Sequence, residues 1–144
     1  MTNRLFRRGP ALWFSLFLIA GCSSSPTAPT NDSITLTSIV PAAGTTLNVG
    51  DRVTFTAVVN CTIATSEGGI TAMVIQDQGL RSIRDESDVQ AQAVLRKGTE
   101  TVTLTQTVTI PQGLAGSTVT VVLPLFINES ATTSAMVRTN YTIR

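Results

Sequence analysis

The clearest pattern in this chain is an alternation of polar and apolar residues with a period of two. Between residues 101 and 110, threonine occupies every odd position and the even positions are mostly aliphatic. Successive side chains of a strand point to opposite faces, so one face would carry hydroxyl groups and the other would be buried. The segment is therefore predicted to be a half-buried antiparallel strand.

Similar strand patterns recur along the chain from residue 34 onward. The segment 89–95 is the least regular, and a helical turn is the alternative there. Pro124 interrupts another segment and predicts an edge position or a bulge. The seven predicted strands cover residues 34–40, 52–63, 70–77, 89–95, 101–110, 117–127 and 135–143.

Turn-forming residues separate these segments, among them Pro41, Gly44, the pair Gly68 and Gly69, and Gly98. Seven short strands with such breaks in about 110 residues predict an all-β, immunoglobulin-like antiparallel β-sandwich. Residues 34–144 suit one domain that needs no disulfide for its stability.

The first 22 residues have a different organisation. Three arginines precede an apolar run at residues 11–20, which is too short for a lasting membrane span of roughly 20 residues. Ile19-Ala20-Gly21-Cys22 follows, and this arrangement resembles a bacterial lipoprotein signal with its lipobox. An ordinary secretory signal or an uncleaved anchor is the alternative.

The lipobox resemblance implies that residues 1–21 are removed and that Cys22 carries diacylglycerol and acyl chains such as palmitate. Two or more chains hold a protein stably on a membrane. The resemblance further implies a cell-envelope location, in the outer membrane if the host is diderm, because Ser23 follows the cysteine. Residues 22–33, rich in serine, threonine and proline, are predicted to form a flexible tether.

Composition excludes several classes of function. Removing three of the ten Lys and Arg residues leaves seven against nine Asp and Glu, a net charge of −2 that gives no indication of nucleic-acid binding. The chain has no histidine, which removes the usual serine triads and histidine-based zinc sites. We therefore expect no enzymatic activity, no cofactor and no metal site.

Cys61 is the one cysteine besides Cys22, so the mature domain cannot form an internal disulfide. It shares the apolar phase of Phe55 and Val59, which predicts a buried, inert thiol. An intermolecular disulfide and a thiol nucleophile are the alternatives, but the histidine that usually activates such a nucleophile is missing.

Residues 40–59, Val-Pro-Ala-Ala-Gly-Thr-Thr-Leu-Asn-Val-Gly-Asp-Arg-Val-Thr-Phe-Thr-Ala-Val-Val, resemble the opening of bacterial immunoglobulin-like or fibronectin-III-like domains. The shared features are a Pro-x-x-Gly turn and a Gly-Asp pair before a threonine-rich strand. The chain departs from antibody domains by lacking their core tryptophan and second cysteine. The resemblance implies a fold and no particular activity.

One charged segment stands out, at residues 81–88. Its carboxylates could attract calcium, but the spacing fits no calcium loop, and a solvated, salt-bridged turn is the favoured interpretation. In an up-and-down sandwich, turns 41–50, 78–88 and 111–116 would meet at the end opposite the tether. Because loops on a rigid scaffold commonly carry recognition, we expect partner contacts there from Arg81, Arg84, Asp85 and Asp88.

The sequence thus predicts a membrane-anchored, non-catalytic binding or adhesion module for a protein or envelope partner that the sequence does not identify. A structural accessory or spacer at the envelope is the alternative. A carbohydrate-binding module is disfavoured, because the mature chain keeps only Phe55, Phe126 and Tyr141 as aromatic residues.

Overall fold

The computed structural model describes residues 31–84, 89–127 and 133–144, which contain seven β-strands and one 3-10 helix. No helix within these ranges is long and apolar enough to cross a membrane. The elements are β1 (Ser33–Val40), β2 (Thr46–Leu47), β3 (Arg52–Ala72), β4 (Val74–Gln76), β5 (Gln92–Thr109), a 3-10 helix (Gln112–Leu114), β6 (Thr118–Ile127) and β7 (Thr133–Ile143).

The predicted all-β sandwich of about seven strands is confirmed, and one long two-stranded ribbon links its two layers. In the first sheet, β3 lies between β1 and β5, and residues 52–63 of β3 pair with residues 98–109 of β5. After a register shift between Ile63 and Gly68, residues 68–72 of β3 pair with residues 92–96 of β5. The same part of β3 also pairs with β6, which carries β4 and β7 in the second sheet.

The prediction of a turn at Gly68 and Gly69 was wrong, because both residues lie inside β3. A Cβ atom on Gly69 would stand 2.4 Å from the Phe126 carbonyl oxygen, and one on Gly68 would stand 2.9 Å from that of Leu95. The glycines are therefore needed where β3 approaches its neighbours closely. Predicted strands 89–95 and 101–110 consequently form one strand, β5, and β3 extends predicted strand 52–63 into the first residues of 70–77, whose remainder forms β4.

The second sheet is mixed rather than purely antiparallel, which corrects the sequence prediction. β2 pairs in parallel with the end of β7, with Thr46 opposite Thr142 and Leu47 opposite Ile143. The Arg144 N–H donates to the Leu47 carbonyl oxygen at 2.8 Å and extends this pairing. A strand of two residues has no room for alternation, so the pattern could not reveal it.

Pro124 lies in a central strand, so the predicted edge position was wrong, but the alternative of a bulge agrees with the register shift between Leu125 and Phe126. β6 has β7 on one side and β3 and β4 on the other. The ladder stops at the pair Thr71 and Leu125 and resumes at Val74 and Val122, so Pro124 stands at its interruption. The Thr71 hydroxyl donates to the Pro124 carbonyl oxygen at 3.0 Å. The missing N–H of proline is thereby accommodated inside a sheet.

The inward phases of the strands form the core, as the alternation predicted. Every second residue of β3 from Val53 to Ile63 is buried, and so are the odd positions of β6 from Val119 to Leu125. The rings of Phe55 and Tyr141 meet edge to face across the two sheets, with centroids 5.1 Å apart. This arrangement is a favourable one for aromatic pairs.

The outer face of the first sheet carries the predicted threonines, and many of them pair with each other. Hydroxyl oxygens are 2.8 Å apart between Thr54 and Thr107, and 3.0 Å apart between Thr62 and Thr99. Cross-strand pairs of this kind stabilise a sheet. We refer to this surface as the threonine face.

Candidate functional site

The first half of the charged segment forms a tight hairpin that continues β4. The Ile83 N–H donates to the Ile75 carbonyl oxygen at 2.7 Å, and the Asp77 N–H donates to the Arg81 carbonyl oxygen at 3.0 Å. Ile83 is buried in the core, which fixes the returning chain. Residues up to 83 therefore form an ordered, solvent-exposed turn, and the ion pair of Arg81 with Asp77 agrees with the predicted salt-bridged turn.

Asp77 holds this hairpin closed and positions Arg81. One carboxylate oxygen accepts the Arg81 backbone N–H at 2.9 Å, and the other lies 3.3 Å from Nε of the Arg81 guanidinium. The Asp77 side chain is 11% exposed, whereas the Arg81 side chain is 85% exposed. The pair thus holds one edge of the guanidinium and leaves the rest of the group open to solvent.

Leu80 occupies the tip of the hairpin in an unfavourable conformation. Its φ is 61°, in the left-handed region that a branched aliphatic residue rarely adopts, and it is 73% exposed. Such a conformation carries a free-energy penalty of about 1–2 kcal/mol for residues other than glycine. The hairpin therefore presents an apolar side chain beside Arg81 at a cost in stability.

A groove of about 400 Å³ separates the hairpin from the segment after β5. Arg81, Ser82 and Arg84 line one wall, and Pro111 and Leu114 line the other. The second wall is fixed because the Gly50 N–H donates to the Ile110 carbonyl oxygen at 2.8 Å and the Ile110 N–H donates to that of Asp51 at 2.9 Å. The structure thus brings turns 41–50, 78–84 and 111–116 to one end of the sandwich.

Two of the four expected contact residues, Arg81 and Arg84, line this groove. Asp85 and Asp88 lie outside the described residues, as does Cys22. Within the described ranges, no three His, Cys, Asp or Glu side chains come together as a possible metal site. Besides the Asp77 carboxylate, which is paired with Arg81, the groove offers cationic and apolar groups, a combination that suits an anionic partner with an apolar part.

The opposite end of the sandwich is organised by Asp32, which the sequence analysis assigned to the tether. One of its carboxylate oxygens accepts the N–H groups of Ala64 and Thr65 at 2.8 and 3.0 Å. The other accepts the hydroxyls of Thr65 and Ser134, the latter at 3.0 Å. These contacts fasten the chain just before β1 to β3 and β7.

The Thr65 hydroxyl and the other hydrogen bonds lower the pKa of Asp32 to about 2, against the opposing effect of partial burial. Only an aspartate immediately before a strand signalled this contact in the sequence. Lys97 and Glu67 form an exposed ion pair at 2.7 Å beside the register shift of the β3–β5 ribbon. This end therefore lies next to the proposed tether, and the groove lies away from it.

Cys61 lies inside the core and is 1% exposed, as predicted. Burial, reinforced by the nearby Glu100 carboxylate, raises the pKa of its thiol to about 11. A thiol with such a pKa carries little thiolate near neutral pH, and the thiolate is the nucleophilic form. The geometry favours the inert interpretation over a reactive role.

Comparisons with known proteins give only distant likenesses. No protein-family model matches the chain, and no curated protein matches it. A solved structure of a putative β-galactosidase from Bacteroides fragilis is similar over 67% of this chain, with 16% identity and a TM-score of 0.47. This chain spans 15% of the length of that enzyme.

Two further solved structures are similar to this chain, with lower TM-scores. One is the human seminal-plasma complex of Zinc 2-glycoprotein and Prolactin inducible protein, with 9% identity, a TM-score of 0.44 and coverage of 80% of this chain and 98% of that one. The other is a family 123 glycoside hydrolase from Clostridium perfringens, with 10% identity, a TM-score of 0.31 and coverage of 69% and 22%. At such identities and TM-scores, neither hydrolase bears on catalysis by this chain.

Proposed function

We propose that this chain is a lipid-anchored binding module of the cell envelope, with an immunoglobulin-like sandwich that captures a partner at its membrane-distal end. The groove between the hairpin and the segment after β5 carries this proposal, because it is preformed and lies at the end remote from Asp32. The anchor part rests on the lipobox resemblance around Cys22. The partner is expected to present a carboxylate or another anionic group next to an apolar one.

The chemistry of the hairpin supports this choice of partner. Arg81 is held on one edge by Asp77 and exposed elsewhere, so it can form charge-assisted hydrogen bonds without first being ordered. Leu80 is exposed beside it despite its left-handed backbone. Strain retained at an exposed apolar tip is typical of a contact residue rather than of a purely structural turn.

Quantitative crosslinking in intact envelopes tests the capture surface. We expect the yield of the partner adduct to fall for Arg81→Glu and Arg84→Glu, and for the combined change of Arg81, Arg84, Asp85 and Asp88. Lys97→Ala removes an exposed cation at the other end. It serves as the control and is expected to leave the adduct yield unchanged.

Leu80→Asn separates binding from folding, because asparagine tolerates the left-handed conformation. This variant is expected to be at least as stable as the wild-type protein and to capture less partner. If capture survives all these changes but is lost in Thr103→Pro, which would block added strands at the edge of β5, strand addition replaces the groove as the binding mode. If no change affects capture, the spacer interpretation is the better one.

Cys22→Ser tests the anchor in the same cells. The variant is expected to lose metabolic fatty-acid labelling and to remain unprocessed or leave the membrane fraction. Continued labelling with unchanged fractionation would refute the lipoprotein assignment.

A further inference from the structure

The middle of the outer surface of the second sheet is apolar, in contrast to the threonine face of the first, and Gln92, Arg96 and Arg138 lie around it. Val94 is 79% exposed and Met136 is 46% exposed. Ala72 and Val122 are 7% exposed, and neither belongs to the core cluster. We call this surface the apolar outer face, and its members are Ile70, Ala72, Val74, Val94, Val122, Pro124, Phe126 and Met136.

The pairing register aligns these side chains in rows across the strands. Val94, Ile70 and Phe126 stand opposite one another on β5, β3 and β6. Further along, Val74 stands opposite Val122. None of the exposed or half-exposed members is among the residues that pack against the core. The face therefore forms a contiguous apolar surface that the sandwich itself does not use.

The apolar rows lie between Arg96, which pairs with Gly68 toward the tether end, and polar side chains toward the groove. Phe126 pairs with Thr133, next to the Ser134 hydroxyl that contacts Asp32. At the other end of β6, the Thr120 hydroxyl donates to the Asn140 side-chain oxygen at 2.9 Å. The surface thus has a direction along the strands that is fixed relative to the point where the tether leaves.

We propose that the apolar outer face binds the same face of a second copy of this chain. Contiguous exposed apolar patches mark interaction sites, and flat sheet faces pack about 10 Å apart with their strands nearly aligned. A two-fold axis that lies between the two faces and runs parallel to the strands brings the apolar rows of one copy against the apolar rows of the other. It brings the polar rows together in the same way. The same axis puts both tethers on one side, as two copies in one membrane require.

The strand order agrees with this occupant. The sheet order β5, β3, β6, β7 puts β3 and β6 nearest the axis, and both present apolar side chains at the facing rows. Arg138 lies on β7, opposite Val122. The two-fold axis therefore places it against the β4 side of the other copy rather than against a second Arg138. The paired orientation depends on the proposed anchor, whereas the association itself does not.

Sedimentation of the chain from Ser23 onward, which contains every described strand, measures this association from micromolar to millimolar concentrations. We expect a concentration-dependent dimer whose dissociation constant rises about tenfold or more in Val94→Lys, because a lysine would be buried without a partner. Thr103→Lys is the matched control: it places the same charge on the same strand, at an exposed position of the threonine face, and it should leave the dissociation constant unchanged. If circular dichroism shows that Val94→Lys does not fold, Met136→Lys is used for the same measurement.

The anchored protein provides the second measurement. A photocrosslinker at position 94 of the full chain in intact cells should join two copies of this chain. A wild-type chain that stays monomeric throughout and gives no such crosslink overturns the proposal. So does association that responds to Thr103→Lys but not to the changes at Val94 and Met136.

Two outcomes would identify a different occupant of the face. Crosslinks from position 94 to another protein would replace the second copy with that partner. Binding of the unlipidated chain to uncharged phosphatidylcholine vesicles, lost in Val94→Lys, would assign the face to the membrane. The groove variant Arg84→Glu should not alter self-association, so failure of this proposal and failure of the proposed function are distinguishable.

Discussion

Replacing Asp32 by alanine is expected to destabilise the domain by about 2 kcal/mol near neutral pH. The change removes the acceptor of four hydrogen bonds, from the Ala64 and Thr65 N–H groups and from the hydroxyls of Thr65 and Ser134. A hydrogen bond to a charged group contributes about 1.5–3 kcal/mol at a buried site. Because Asp32 is partly exposed, water would satisfy many of these groups in the variant. The total stabilisation from the four hydrogen bonds therefore stays near the value of one strong bond.

Asp32→Asn is expected to retain about half of this stability, because the amide oxygen can still accept the two N–H groups. The amide nitrogen can in turn donate to the Thr65 and Ser134 hydroxyl oxygens. The loss of about 1 kcal/mol in this variant reports the negative charge rather than the geometry.

The charge contribution has a defined pH dependence. The pKa of Asp32 is lowered from 3.8 to about 2 in the folded state. When the pKa is lower in the folded state, the full stabilisation is present at pH values above the pKa of the unfolded state. It is lost as the pH falls toward the pKa of the folded state. The difference between the wild-type protein and Asp32→Asn should therefore be constant above about pH 5 and shrink as the pH falls from about 4 to about 2.

Urea unfolding at several pH values, followed by circular dichroism, measures these differences. Glu67→Gln is the control at the same end, where an exposed ion pair contributes at most about 1 kcal/mol. Two results would refute this account of the contact. One is an unfolding free energy of Asp32→Ala within about 0.5 kcal/mol of the wild-type value at neutral pH. The other is a difference between the wild-type protein and Asp32→Asn that does not change in acid.

Two further predictions concern the interior. The Cys61 thiol should react with an aromatic disulfide reagent slowly in native buffer and rapidly in denaturant, since it is 1% exposed and its pKa is raised to about 11; equal rates, or a disulfide-linked dimer on a non-reducing gel, would contradict this. Gly69→Ala should destabilise the domain by about 3 kcal/mol in urea unfolding, because its Cβ would meet the Phe126 carbonyl oxygen at 2.4 Å. Gly113→Ala, which meets nothing within 4 Å, should change stability by at most about 0.5 kcal/mol, and similar losses in both variants would show that β3 and β6 are not so close.

The sequence predicted the contents of the core well. Val53, Phe55 and Cys61 are buried together because strand geometry sends alternate side chains to one face, and this periodicity is visible in any half-buried strand. The threonine face follows from the same rule. The candidate groove was anticipated in part: the sequence pointed to Arg81 and Arg84 and placed turn 111–116 at the same end, but it did not show that the two turns enclose a groove.

The remaining features depend on residues far apart in the chain. Gly68 and Gly69 look like a turn because glycine is common in turns, but the close approach of β5 and β6 is what requires them. Asp32 looks like part of a polar linker, and only the positions of Thr65 and Ser134 give its carboxylate partners. Local sequence carries no information about such neighbours.

The sequence by itself thus determined the all-β class, the buried phase of each long strand and the inert state expected of Cys61. These follow from short-range alternation and from composition. The tertiary structure alone decided the continuous β3–β5 ribbon, the parallel pairing of β2 with β7, and the groove between the hairpin and the segment after β5. It also decided which apolar residues of β6 enter the core and which form the apolar outer face, because β6 is apolar on both phases and only the position of the opposing sheet distinguishes its two sides.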